Sequence, residues 1–128
     1  MFTKVKNLSF TIVILFFYSC YQPQRNCHEY KTGKFVYEAE INGITEKSFF
    51  VRMDTLEIDY FQGKADSASI RWINDCEYIL TKLHPKNNQE KKPIHMKIVT
   101  TDAQGYTFEF SAVGSPQNKM RGYAKRAD

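Results

Sequence analysis

The chain has 128 residues, room for one domain, and its 42% hydrophobic and 25% charged content is ordinary globular composition, which excludes a disordered or fibrous chain. Ten Phe and eight Tyr against six Gly favour strands over helices, because flat rings pack well on a pleated surface. The formal charge of +4 falls to +2 once Lys4 and Lys6 are assigned to a removable leader, a balance too weak to indicate a nucleic-acid partner.

Met1 to Asn7 carry Lys4 and Lys6 without an acid, and Leu8 to Tyr18 then run almost wholly apolar up to Ser19 and Cys20. This is a positive n-region followed by an h-region. A helix over the apolar stretch covers about 16 Å, roughly half of a bilayer's hydrocarbon core, so residues 1–19 read as a signal peptide rather than a permanent span. Phe17-Tyr18-Ser19-Cys20 resembles a bacterial lipoprotein box, with Phe17 where leucine is usual. The resemblance implies lipidation of Cys20 as the new N-terminus, and hence a membrane partner through the anchor. A diacylglycerol thioether plus an N-acyl chain exceeds the two-chain threshold for stable attachment. No acidic cluster follows Cys20 to resemble a surface-export signal, so the expected location is the bacterial cell envelope, on the periplasmic side of the outer membrane.

With Cys20 acylated, an exported chain keeps two cysteines, Cys27 and Cys76, which most simply pair as a disulfide; two free thiols are the alternative. Neither has a C-x-x-C partner and the three histidines are scattered, so no metal or cofactor is indicated.

Tyr21 to Lys31 is polar, contains Pro23 and shows no period. Residues 20–33 are therefore predicted as a lipidated tether ahead of a domain over 34–127. From Lys34 the pattern changes: Phe35, Tyr37, Ala39 and Ile41 alternate with Val36, Glu38 and Glu40, the period of a half-buried strand. Asn42-Gly43 supplies the two φ > 0 positions of a type I′ hairpin, which sets Ile41 opposite Ile44, Glu38 opposite Lys47 and Phe35 opposite Phe50. Further strands are predicted over Leu56 to Phe61, Ala68 to Ile73, Cys76 to Leu83, Ile94 to Thr101, Tyr106 to Val113 and Met120 to Lys125. Turn residues separate them at intervals of roughly ten. For the turn at Asp102 to Gly105, a three-residue loop with Ile98 opposite Phe110 keeps apolar residues together, whereas four residues would set Ile98 against Glu109. His84 to Pro93 is the one long polar interruption, a solvated loop or, more sharply, a docking loop.

Eight sequential antiparallel strands must hide their edges, and an up-and-down barrel, closed or half-open, does so. Gly33-Lys34-Phe35 resembles the Gly-x-aromatic opening of lipocalin-like barrels, which implies a basic residue of the last strand, Arg121 or Lys125, over the Phe35 ring. Cys27, Thr32 to Phe35, Glu57 to Lys64 and Arg71 to Tyr78 together resemble a family of short Bacteroidota lipoproteins with no established activity. A DNA topoisomerase IV label sometimes attached to that family does not fit. Such an enzyme needs a nucleophilic tyrosine in a helical DNA-binding domain, a carboxylate cluster for Mg²⁺ and phosphate-cradling glycines.

Enzymatic signals are poor. No G-x-S-x-G occurs, Ser67 and Ser69 lack a nearby histidine motif, and His95 alternates with Met96 as an outward strand residue. Asp59, Asp75 and Glu77 are the best carboxylates, and the Asn74-Asp75 turn explains Asp75 locally. The expectation is a non-enzymatic binding or accessory module, with an envelope protein as a candidate partner and a carrier of a small hydrophobic ligand as the alternative. Phe35, Tyr37, Phe50, Tyr60, Trp72, Phe108 and Phe110 are expected to fill the interior, because an eight-stranded barrel is only just wide enough for its own side chains. Recognition is then expected on the rim or loops.

Overall fold

The period-two segments form eight strands: β1 Gly33–Ile41, β2 Ile44–Arg52, β3 Leu56–Phe61, β4 Lys64–Trp72, β5 Glu77–Lys82, β6 Ile94–Thr101, β7 Gly105–Ala112 and β8 Met120–Arg126. They are seen in a computed structural model that describes residues 24–41 and 43–128. The expected signal peptide over 1–19, the lipidation of Cys20, the start of the tether and Asn42 lie outside the described residues. Each strand pairs antiparallel with the next, and β8 returns to β1 through Phe35↔Arg126, Val36↔Lys125 and Tyr37↔Ala124. The result is a closed up-and-down barrel, which leaves no sheet edge to template aggregation. Outward positions along these ladders include Glu38, Lys47, Arg71, Lys97, Glu109 and Arg121. Charges at that frequency suit water rather than the apolar band of a membrane-spanning barrel.

The first hairpin has the predicted register, Ile41↔Ile44, Glu38↔Lys47 and Phe35↔Phe50. Gly43 takes φ 76°, as the turn requires, and Lys47 Nζ lies 3.3 Å from Glu38 on the outer face. The β6–β7 hairpin differs from expectation. Four residues, Asp102 to Gly105, form the loop between Thr101↔Tyr106, because Asp102 Oδ1 accepts hydrogen bonds from the N–H groups of Gln104 (2.7 Å) and Gly105 (2.9 Å). A register shift between Ile98 and Thr100 then pairs Ile98 with Phe108 and Met96 with Phe110, not Ile98 with Phe110. The extra residue of a bulge restores the parity that the four-residue loop would have inverted.

The two ends of the barrel are built differently. At the base, a single 3₁₀ turn, Cys27–Tyr30, lies across the opening and is tied down on several sides. Cys27 forms the expected disulfide with Cys76 in the β4–β5 turn. Thr101 N–H donates to Gln24 O (2.8 Å), Asn26 N–H to Thr101 Oγ1 (2.8 Å) and Tyr30 Oη to Asp102 O (2.6 Å). The last residues of the expected tether are thus a cap, with Cys27 and Tyr30 buried in one cluster with Phe35, Phe50, Ile98, Tyr106, Phe108 and Ala124. The hydrogen-bonded ring, the core cluster and the disulfide all lie within residues 24–128, so a chain of those residues keeps every one of these features. At the other end, the mouth, the loop before β6 is held by Glu90. Its carboxylate accepts from Lys82 Nζ (3.1 Å) and from the Lys86 N–H (2.6 Å).

Candidate functional site: the mouth cavity

Toward the base, the interior is organised around one charge. Arg52 is 2% exposed and every nitrogen of its guanidinium is engaged. Nε donates to Glu57 (3.0 Å), Nη1 to Tyr30 O (2.8 Å), and Nη2 to the hydroxyls of Tyr78 (2.7 Å) and Tyr106 (2.6 Å). The rings of Phe35, Phe50, Tyr78 and Tyr106 surround it, with centroids 4.9–5.5 Å away. Burial acts to discharge Arg52, but the oxygens of Tyr106, Tyr78 and Glu57 outweigh it and hold its pKa above the ordinary value. Matched in this way, the buried charge ties β2, β3, β5, β7 and the turn Cys27–Tyr30 together. Burial likewise raises the Tyr78 and Tyr106 hydroxyls.

Toward the mouth, the inward positions become smaller and more polar. Ser48, Asp59 and Asp66 stand where the base has Phe50, Arg52 and Ile70, and Gly122 sits between Tyr37 and Phe108. A Cβ at Gly122 would lie 2.6 Å from the Tyr37 ring and 2.8 Å from that of Phe108, so both rings keep their places only because β8 presents no side chain there. The space left is a cavity of about 500 Å³. Its apolar wall comes from Tyr37, Phe50, Leu80, Ile94, Met96, Phe108 and Phe110, its polar wall from Glu46, Ser48, Asp59, Asp66, Lys82 and Glu90, and on the base side it reaches Arg52, Glu57, Tyr78 and Tyr106. That size and mixture fall in the range of small-molecule sites, about 300 to 1,000 Å³. The expectation of a filled interior therefore fails in the mouth half.

The predicted interior aromatics divide accordingly. Phe35, Phe50 and Phe108 are buried, and Tyr37 and Phe110 line the cavity. Trp72 faces inward at the base, its ring 4.6 Å from Tyr78 and its Nε1 donating to Asp54 O (3.2 Å), so it belongs to the capped end. Tyr60 is a correction: it lies on the outer surface, 44% exposed, against Phe49. Its strand runs inside out, with Leu56, Ile58 and Tyr60 outward and Glu57, Asp59 and Phe61 inward, because Arg52 is waiting opposite Glu57. The ring of Phe35 is indeed covered by a basic residue of the last strand, but by Arg126, 5.3 Å away, rather than Arg121 or Lys125. Arg121 instead pairs with Glu109 on the outside.

Of the three carboxylates singled out in the sequence, Asp75 pairs with Lys31 (2.9 Å) in an exposed turn. Glu77 faces outward beside His95 (3.5 Å). Only Asp59 enters the cavity. Burial, then the neighbouring carboxylates of Glu57 and Asp66, push its pKa up to about 7 against a smaller opposing pull from Arg52. Asp66 is neutralised by Lys82 (3.1 Å), which also contacts Glu90 (3.1 Å). Burial works against the charge of Lys82, and the hydrogen bonds to Glu90 and Asp66 more than restore it. Arg52, Glu57, Asp66 and Lys82 were not singled out from the sequence; their signal was the placement of charges at period two within strands, beside aromatic residues.

Chemically, the cavity can enclose an apolar body and meet one polar head at Asp59. Among the described residues no group of three or more His, Cys, Asp or Glu side chains is arranged to hold a metal ion. Comparison of the chain with protein-family models, curated proteins and solved structures finds no match.

Proposed function

We propose that this is a lipid-anchored protein of the bacterial envelope whose barrel binds a small amphipathic molecule in its mouth cavity, as a carrier or receptor rather than an enzyme. The observation that carries the reading is the cavity of about 500 Å³, whose apolar residues come mainly from β1 and β5–β7 and whose polar residues come mainly from β2–β4 together with Lys82 and Glu90. A space of that size inside a closed barrel is not needed for stability, since lost packing around a void costs stability. The leader pattern ending at Cys20 and the Cys27–Cys76 disulfide both agree with export to an oxidising compartment. The anchor also orients the molecule. Cys20 precedes Gln24 by four residues, at most about 14 Å of extended chain, and Gln24 is bonded to Thr101 at the base. A lipid on Cys20 then keeps the base near the bilayer and the mouth directed away from it, toward the aqueous phase or a partner.

The test is native mass spectrometry of the protein purified from its own envelopes. The expected result is the acylated mass plus one small bound molecule, lost on denaturation. A bare acylated mass, with no displacement of a fluorescent apolar probe by any envelope extract, would defeat the ligand reading. Equal fatty-acid labelling of the wild type and Cys20→Ser would defeat the anchor.

A further inference from the structure

Charge matching inside the cavity identifies the head group that the site accepts, and this step rests on the reading of the cavity as a ligand site. Of the inward cations, Arg52 is committed to Glu57 and to three neutral oxygens, and Lys82 is committed to Asp66 and Glu90. Lys64 and Lys86 also line the cavity but are exposed at the mouth, where water solvates them. Among the described residues, no cation is paired with Asp59, which lies deeper on β3 opposite Phe50 and Asp66. Among the described residues of the lining, Asp59 and, nearer the rim, Glu46 form no ion pair, and Asp59 is the deeper of the two, facing an apolar wall of Tyr37, Leu80, Met96, Phe108 and Phe110.

We infer that the ligand is a cationic amphiphile, an alkyl or aryl amine whose ammonium group pairs with Asp59 while its apolar body lies along β5–β7. An ammonium at Asp59 supplies the charge that the fold omits and is the form of ligand for which a buried carboxylate gives a stronger, charge-assisted hydrogen bond. An anionic head would meet the unpaired carboxyl of Asp59 and find Arg52 and Lys82 already committed to Glu57 and to Asp66 and Glu90. The aromatic faces of Tyr37 and Phe108 add attraction for a cation, as ring faces carry negative potential.

Three ligands with the same tail separate the possibilities: dodecylamine, dodecanol and dodecanoate, each titrated below its micelle concentration into residues 24–128 by displacement of a fluorescent apolar probe. The expected order is the amine about tenfold or more tighter than the alcohol, with the carboxylate weakest. Asp59→Asn should keep alcohol affinity and lose the preference for amine. In the wild type, amine affinity should fall between about pH 8 and about pH 6. There Asp59 takes up a proton while dodecylamine stays charged; the other charged groups facing it are Glu57 on β3, Asp66 on β4, Arg52 on β2 and Lys82 on β5. Dodecanoate binding as tightly as the amine, or an unchanged amine preference in Asp59→Asn, would overturn the inference while leaving a ligand cavity in place. Failure of all three to bind would remove the cavity reading itself.

Discussion

The base and the mouth of this barrel are made from the same eight strands and treat buried charge in opposite ways. At the base, Arg52 and Glu57 are 2% and 5% exposed, and partners are arranged for both, so charge is absorbed into a rigid packing unit. At the mouth, two residues further along β3, Asp59 is partly buried without a matching cation and its carboxyl is pushed up to about 7 by burial and by its acidic neighbours. One end satisfies its polar groups completely and is capped; the other leaves a charge open toward a cavity. The comparison teaches that stability and recognition are separated along the barrel axis, and that three substitutions can test the separation.

The largest effect is expected at the base. Arg52→Leu leaves Glu57 buried without its cation and removes the donors that hold Tyr30 O and the Tyr78 and Tyr106 hydroxyls. Removing one partner of a buried pair costs about 3–5 kcal/mol, and Arg52→Leu combined with Glu57→Leu should recover part of it. Denaturant titration of residues 24–128 reads both numbers. If the single variant loses less than about 1 kcal/mol, the base is not the stabilising half.

Next is the disulfide, which joins the cap to the β4–β5 turn across a sequence separation of 49. Cys27→Ser should cost about 2–4 kcal/mol by freeing the unfolded chain and loosening the cap. Its affinity for an apolar probe should change little at temperatures where it is folded, because the 3₁₀ turn Cys27–Tyr30 contributes no lining residue and Arg52 and Tyr106, which touch it, are also held by the strands. A parallel loss of stability and binding would mean that the two ends are coupled.

The smallest of the three carries the opposite sign. A carboxyl whose folded pKa is raised binds more protons in the folded state, so it destabilises the fold above its ordinary value of about 3.9, and the penalty is complete once the pH exceeds about 7. Asp59→Asn should therefore stabilise residues 24–128 by about 2 kcal/mol at pH 8 and by almost nothing at pH 4, a value discounted for the partial exposure of the site. A constant difference across that range would show that Asp59 is an ordinary surface carboxylate.

The strands were legible because each alternates at period two and is bounded by turn residues, and Asn42-Gly43 agreed with its flanking pattern down to the pairing of Glu38 with Lys47. Counting edges led to a barrel but left it closed or half-open; the β8–β1 pairing decides for closure. The register of β6–β7 was not legible, since pairings that differ by two residues present the same faces to the interior, and the choice was made by the side chain of Asp102 together with a bulge beside Ile98. The facing of β3 was misread for a different reason: Leu56, Ile58 and Tyr60 look like the inward set until Arg52, on the preceding strand, is known to sit opposite Glu57. Arg126 rather than Arg121 or Lys125 covers Phe35 because β8 runs one residue beyond its predicted end and its inward set is Gly122, Ala124 and Arg126. The cavity was hidden because its volume depends on inward residues, Ser48, Leu80 and Phe110 among them, that come together from strands far apart in sequence.

The central claim, that the mouth half encloses a ligand site while the base is core, is tested most directly by filling the cavity. Ser48 faces it from β2 opposite Tyr37, and Ser48→Trp would occupy the space with a ring. The account predicts that this variant melts within about 1 kcal/mol of the wild type yet loses more than about tenfold in affinity for a fluorescent apolar probe. A Ser48→Trp barrel that still binds the probe with full affinity would place binding outside the cavity and contradict it.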